Sequence, residues 1–255
     1  MTADMQKVAL VTGAGKRIGK AIALALARHG WDIVVHYNRS AAEAESTVAA
    51  IQAAGRRAVP VQCDLTDEAA VRALLARCAE VLAPVSCVVN NASLFRFDDA
   101  ATVSAAALVE HMQTNLTAPL LLAQALATAL PAGGQGVVIN LLDQKLANLN
   151  PDFLSYTLSK AALQTATVML AQALAPAIRV VGVSPGITMV SGDQTENEFR
   201  QAHAMTPLGR SSTPEDVAAA VCFAAESPAI TGTTLLVDGG QHLMPLPRDV
   251  MFIAK

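Results

Sequence analysis

The chain is poor in aromatic and charged groups: of 255 residues only 4% are Phe, Trp or Tyr and 15% are Asp, Glu, Lys or Arg. Charge this sparse lies well below the usual level of about a quarter. Together with 53% hydrophobic residues it excludes a disordered chain and supplies an ample core. A formal net charge of -3 leaves no basic footprint for nucleic acid, so no such partner is expected. Also missing is any apolar run of the ~20 residues that a spanning helix needs. The longest candidate, 118–130, is broken by Pro119 and Gln124 and reads as a buried core helix, so no membrane contact is expected. The brief apolar stretch after Lys7 stops at Thr12 and Gly13 without a signal-type core or cleavage pattern, and a cytoplasmic protein is expected. There is no CxxC pair. Cys63, Cys78, Cys87 and Cys222 are scattered, and the five histidines lack zinc-ligand spacing, so no disulfide framework and no bound metal are expected.

What is present is alternation. Short β-branched runs at 7–12, 32–37, 58–62, 86–90, 136–142, 179–184 and 234–237 read as strands, and helical spacing fills the gaps between them. Helices are expected at 18–29, from Ser40 to near Gly55, after Thr66, from near Asn115, at 153–174 and from Thr213. Ser40-Ala41-Ala42-Glu43 has the form of a capping box, and Thr213-Pro214-Glu215-Asp216 combines an N-cap, an early proline and two acids near the positive dipole end. Apolar strands joined by helical crossovers imply a parallel sheet covered on both faces, a doubly wound α/β fold. No repeat or linker interrupts it, so 1–255 reads as one domain. Only 185–213 lacks clear periodicity, and a loop that long inside a domain is usually functional, here a substrate lid. Residues 243–255 form a tail.

In such folds ligands sit at the carboxyl ends of the strands, near the switch in strand order. The first turn, Thr12-Gly13-Ala14-Gly15-Lys16-Arg17-Ile18-Gly19, follows a strand and opens a helix, which suits a pyrophosphate. Alone it could equally be a tight connection. The second strand ends in His36-Tyr37-Asn38-Arg39-Ser40, without the acid that an NAD-selective site commonly places there. Arg39, Ser40, Lys16 and Arg17 suit a 2'-phosphate, which favours NADPH, although Arg39 could also be a solvated surface charge. Tyr156 and Lys160 stand four apart on one helical face, where a cation is expected to lower the phenol pKa and make it a better proton donor near neutrality. By itself such a pair is more often a surface coincidence.

Taken in order, these motifs resemble the short-chain dehydrogenase/reductases over essentially the whole length. They are the turn from Thr12 to Gly19, Asp64 after the third strand, Asn90-Asn91-Ala92, Asn115, Tyr156 with Lys160, Pro185-Gly186 and Asp238-Gly239-Gly240. The resemblance implies a single Rossmann-type domain in a homotetramer. Asp64, with Leu65 beside it, would meet the adenine; Asn91, Ala92 and Ser93 would line the cofactor site with Pro185 and Gly186. Lys160 would hold the nicotinamide ribose, and Asn115 would help a proton relay.

Three positions depart from the commonest members. Arg17 and Ser93 replace glycines, and Asp143, thirteen residues before Tyr156, replaces the catalytic serine. All three departures occur together in the pteridine reductases and the related dihydromonapterin reductases, as do His36-Tyr37-Asn38-Arg39-Ser40 and Asn91-Ala92-Ser93-Leu94-Phe95, and more weakly Gly240-Gln241-His242-Leu243. This implies a pterin or dihydropterin substrate stacked on Phe95 and hydrogen-bonded by Ser93, Asp143 and Tyr156, with NADPH delivering hydride to its pyrazine ring. Burial would raise the Asp143 pKa and Lys160 would lower it, so its resting charge stays open. Asp193, Glu196 and Glu198 in the lid, against Arg200, lean toward small pterins over a folate glutamate tail, with Arg96 and Arg210 as further cations in reach. The alternatives are a ketoreductase acting on a carbonyl such as a 3-oxoacyl thioester, and a non-catalytic NADPH-binding regulator.

Overall fold

Runs such as Val8-Ala9-Leu10-Val11 carry no polar face, so they can be strands only where both sides are covered. In the computed structural model, which describes residues 6–190 and 194–252, seven such strands form one parallel sheet. They are β1 (Val8–Val11), β2 (Asp32–Tyr37), β3 (Ala58–Gln62), β4 (Cys87–Asn90), β5 (Gly136–Leu141), β6 (Ile178–Pro185) and β7 (Thr234–Val237), in the order β3-β2-β1-β4-β5-β6-β7. Asp193 in the lid and residues 253–255 of the tail lie outside the described residues.

Helices α1 (Arg17–Arg28), α2 (Ala41–Ala53) and α8 (Pro214–Glu226) bury Ile22, Leu26, Ile51 and Val221 against one face of the sheet. On the other face α3 (Glu68–Val81), α5 (Ala118–Ala129) and α6 (Leu154–Leu174) bury Leu74, Leu122, Leu126 and Ala171. Val11 lies opposite Val35 of β2 and Val89 of β4, so the strand order reverses at β1 and opens a crevice at its carboxyl end. No helix of the described residues is long and apolar enough to cross a membrane.

Three local expectations are corrected. Ser40 precedes α2 but makes no capping hydrogen bond, because its backbone (φ -95, ψ 61) leaves the extended range usual for a cap and its residue borders the crevice. The reciprocal boxes form instead at Thr195 with Glu198 and at Thr213 with Asp216. The helix expected from near Asn115 begins earlier, as α4 (Ala105–Met112), whose cap Ser104 accepts from the Ala107 amide. It continues through a π turn, Gln113–Thr117, into α5. The third correction concerns segment 185–213, which is no bare loop: it contains α7 (Glu196–Ala204), started by the Thr195 box and seated by Ala202 on Val250 of the tail.

Candidate active site

The site grows from the turn after β1. Gly13 takes φ +65, and its amide donates to His36 Nδ1 at 3.1 Å. That donation leaves the ring proton on Nε2, which lies 3.1 Å from the Cys63 carbonyl. Burial lowers the His36 pKa to about 4, so the ring is neutral. A side chain at Gly19 would collide with the Gly13 carbonyl, so only glycine lets α1 approach this closely. Thr12 Oγ1 accepts from the Asn91 and Ala92 amides at 2.9 Å, and Asn91 Nδ2 donates to the Thr12 carbonyl at 2.8 Å, joining this turn to the end of β4.

Two adjoining cavities open there. The first, about 670 Å³, runs from Gly13 and Lys16 past Tyr37, Asn38, Arg39 and Ser40 to Asp64 and Leu65, with Ala92 and Ser93 at its inner end. Hydrogen bonds from the Thr66 amide and hydroxyl hold the Asp64 carboxyl below its usual range. Glycines, a helix N-terminus and cationic or hydroxyl groups beyond β2 fit a dinucleotide carrying an extra phosphate. Arg17 is not part of that end. Its backbone turns to φ +55 and its side chain crosses to the lid, donating to the Val190 carbonyl at 3.0 Å, so it faces the second cavity and is withdrawn from the 2'-phosphate set.

The second cavity, about 250 Å³, brings together Arg17, Ile18, Asn91, Ser93 and Phe95 with Asp143, Tyr156, Lys160, Pro185 and Gly186. Tyr156 Oη donates to Asp143 Oδ2 at 2.7 Å, while Asp143 Oδ1 accepts from the Lys145 amide at 2.8 Å. Burial pushes the Asp143 carboxyl up. Tyr156 rises well above the ordinary phenol value, through burial first and then through Asp143. This reverses the expectation that Lys160 acidifies the phenol. Its ammonium donates to the Leu141 carbonyl at 2.7 Å and sits 5.8 Å from the ring centroid, while the nearer carboxylate holds the phenolic proton in place. Burial brings Lys160 itself down to about 8.

Asn115 anchors the loop after β4. Its Oδ1 accepts from the Leu94 amide and Ser93 Oγ, and its Nδ2 donates to the Leu94 carbonyl and Ser159 Oγ. The side-chain amide thus ties the 93–94 loop to Ser159 of α6 and positions it. Phe95 borders the cavity 41% exposed, stacked on Phe153 at 4.3 Å between centroids and edge-on to Tyr156 at 4.7 Å. Residues that pattern reading missed share this wall. Lys145 is buried and paired with Asp249, and Gln144 Oε1 is buried with no hydrogen-bond partner among the described residues. Gln241, noted only as part of a weak motif, accepts from the Ile187 amide.

A doubly wound parallel sheet with a glycine turn at its switch and a buried Tyr, Lys and Asp beside it defines an oxidoreductase of the Rossmann type. The profile of the family described as Enoyl-(Acyl carrier protein) reductase matches residues 13–242, and the chain belongs to that family, within the short-chain dehydrogenase/reductases. It is similar to the crystal structure of FolM alternative dihydrofolate reductase 1 from Brucella canis complexed with NADP, at 40% identity and TM-score 0.91, covering 95% of this chain and 96% of that one. It is 37% identical to an uncharacterized oxidoreductase of Methylorubrum extorquens, over 92% of this chain and 97% of that protein. It is 34% identical to the 3-oxoacyl-[acyl-carrier-protein] reductase of Synechocystis, over 94% and 98% respectively.

Proposed function

We propose that the protein is an NADPH-dependent pteridine reductase, adding hydride and a proton across a carbon–nitrogen double bond of a pterin or dihydropterin. The observation that carries this reading is the 2.7 Å hydrogen bond between Tyr156 and Asp143 beside the Phe95 ring. A ketoreductase uses a neutral hydroxyl to hydrogen-bond its substrate oxygen. Here that position holds a carboxyl group, whose paired oxygens accept from the N–H edges of a flat heterocycle as a single serine hydroxyl would not. Phe95 offers such a heterocycle a stacking surface. The structural relative complexed with NADP supports both the cofactor and the substrate class.

NADPH, when bound, supplies the hydride. Gly13 and Gly19 would let the backbone approach its pyrophosphate, Arg39 and Ser40 would hold the 2'-phosphate with Lys16, and Asp64 and Leu65 would meet the adenine. Lys160 would hold the nicotinamide ribose, with Asn91, Ala92, Ser93, Pro185, Gly186, Tyr37, Asn38 and Ile18 shaping the walls. Tyr156 keeps its proton until a ring nitrogen made basic by hydride arrival takes it; Asp143 holds the phenol in line and Lys160 balances the charge. For a 7,8-dihydropterin, water protonates the other ring nitrogen. Exposed Val168 and Met169 on α6 and Leu236 on β7 support association into a homotetramer.

Carbonyl reduction is the second reading, favoured by the identity to a 3-oxoacyl reductase. Asp143→Ser separates the two: dihydropterin turnover is expected to fall by about a hundredfold or more while turnover of ketones rises. Retained pterin reduction without any gain on ketones would remove the argument from Asp143.

A further inference from the structure

Asp249 and Phe252 lie more than ninety residues beyond Asp143 and Phe153, the nearer parts of the same wall, and no motif reading reaches them. Yet Arg248 Nε donates to both carboxylate oxygens of Asp152 at 3.0 and 2.8 Å, and the Asp249 amide donates to Asp152 Oδ2 at 2.7 Å. Val250 is buried against Ala202 of α7, and Asp249 and Val250 both border the reaction cavity. Residues 248–250 are therefore fastened to the pocket of their own subunit.

We propose that residues 248–252 are a wall of the pocket in their own subunit, with Asp249 and Phe252 as positioning residues that set Asp143 and Phe95 from behind. The inference rests on the pteridine reductase reading of that pocket. Two separate paths carry it. Along the first, the buried Lys145 ammonium is clamped between Asp249 Oδ2 at 2.9 Å and Asn150 Oδ1 at 2.5 Å. The backbone amide of the same lysine donates to Asp143 Oδ1, whose other oxygen receives Tyr156. Fixing the Lys145 side chain thus fixes the amide that orients the carboxylate. Along the second path Phe252 lies against Phe153 at 6.1 Å and Phe97 at 5.4 Å. Phe153 stacks on Phe95, and Phe95 meets Tyr156 edge-on. Phe153 is one of two non-glycine residues with positive φ among the described residues, the other being Arg17 of the same cavity. A left-handed phenylalanine is sterically costly and is held only where its surroundings require it.

The charged and titratable groups around Asp249 among the described residues include Lys145, Asp143, Asp152, Tyr156, Lys160 and Arg248, with Arg17 on the same cavity. Asp249 adds negative charge near Asp143 and Tyr156 and so favours their protonated forms. Removing it moves both titrations to lower pH.

The test uses the full chain, wild type and the variants Asp249→Asn, Asp249→Glu and Phe252→Leu, with NADPH, with 7,8-dihydrobiopterin for KM and with biopterin, whose ring nitrogen takes the Tyr156 proton, for the pH profile of kcat. Asp249→Asn is expected to raise the pterin KM about tenfold and to shift the alkaline limb of kcat to lower pH, with the NADPH Kd within about twofold of wild type. Asp249→Glu restores the profile. Phe252→Leu raises KM by about the same factor with the pH profile unmoved. An unchanged KM and profile in Asp249→Asn, or a loss of NADPH affinity equal to the loss for pterin, overturns the proposal. Should Asp249→Asn fail to fold, shown by the loss of its helical circular dichroism, Phe252→Leu decides alone, and an unchanged KM there overturns the proposal. Inactive wild type would instead strike the pteridine reductase reading itself, leaving these variants nothing to modify.

Discussion

Tyr156 holds its proton because Asp143 takes the far end of its hydrogen bond, and Asp143 stays in place because Lys145 holds it from the other side. Charge at single residues also sets cofactor choice. Arg39 borders the cleft beyond β2, where a guanidinium reads a 2'-phosphate through charge-assisted bonds. Arg39→Ala is expected to weaken NADPH by about ten- to a hundredfold in a fluorescence titration and to leave NADH nearly unchanged. Equal losses for both cofactors would remove Arg39 from that role. Tyr156 with Lys160 was legible from one helical turn of spacing, and Asp143 only through the family resemblance, which marks the position thirteen residues before the tyrosine. Lys145 and Asp249 were not legible, since nothing local marks a pair separated by 104 positions. Nor did spacing reveal that Lys160 would be outweighed by a carboxylate, because that depends on which atom lies nearer.

At the scale of elements, the glycine turn, β2 and the end of β3 are joined through one neutral imidazole. His36 accepts from the Gly13 amide on Nδ1 and faces the Cys63 carbonyl with Nε2, so its protonation breaks the first of these bonds. Its folded pKa is lowered to about 4 from 6.5, so the unfolded chain takes up the proton at higher pH than the folded one. Stability is therefore lost as pH falls from about 6.5 to about 4, by about 3 kcal/mol in all. Urea unfolding of wild type against His36→Gln should show this slope in the first and a flatter one in the second; parallel slopes would contradict it. Strands were legible because runs buried on both faces admit few other readings. Helix starts were not, since Ser40 has the composition of a cap without its backbone, whereas Ser104 has both but lies in a stretch with weak periodicity. The π turn at 113–117 has no sequence signature, yet it carries Asn115 to the loop that places Phe95.

Across the whole molecule, the second cavity is lined by parts distant in sequence: the turn after β1, the end of β5, residues 185–189 with Gln194, and Asp249 with Val250. The fold as a whole was legible because alternation and motif order act together over the full length. The tail was not, because its described residues have little secondary structure and gain their place through Asp152, Lys145, Ala202 and the Phe252 contacts. Several surface cations that could greet a glutamate tail are already paired, Arg96 with Glu110 and Arg210 with Asp216, which favours small pterins over folates. The most direct test of the account is the rate of NADPH oxidation by the purified full-length chain with a panel of substrates. The panel holds biopterin, 7,8-dihydrobiopterin, 7,8-dihydromonapterin, dihydrofolate and a 3-oxoacyl thioester. The account predicts that kcat/KM is highest for the small dihydropterins, at least about tenfold above dihydrofolate and further above the thioester. Turnover confined to the thioester, or a chain that binds NADPH and reduces none of the pterins, would contradict it.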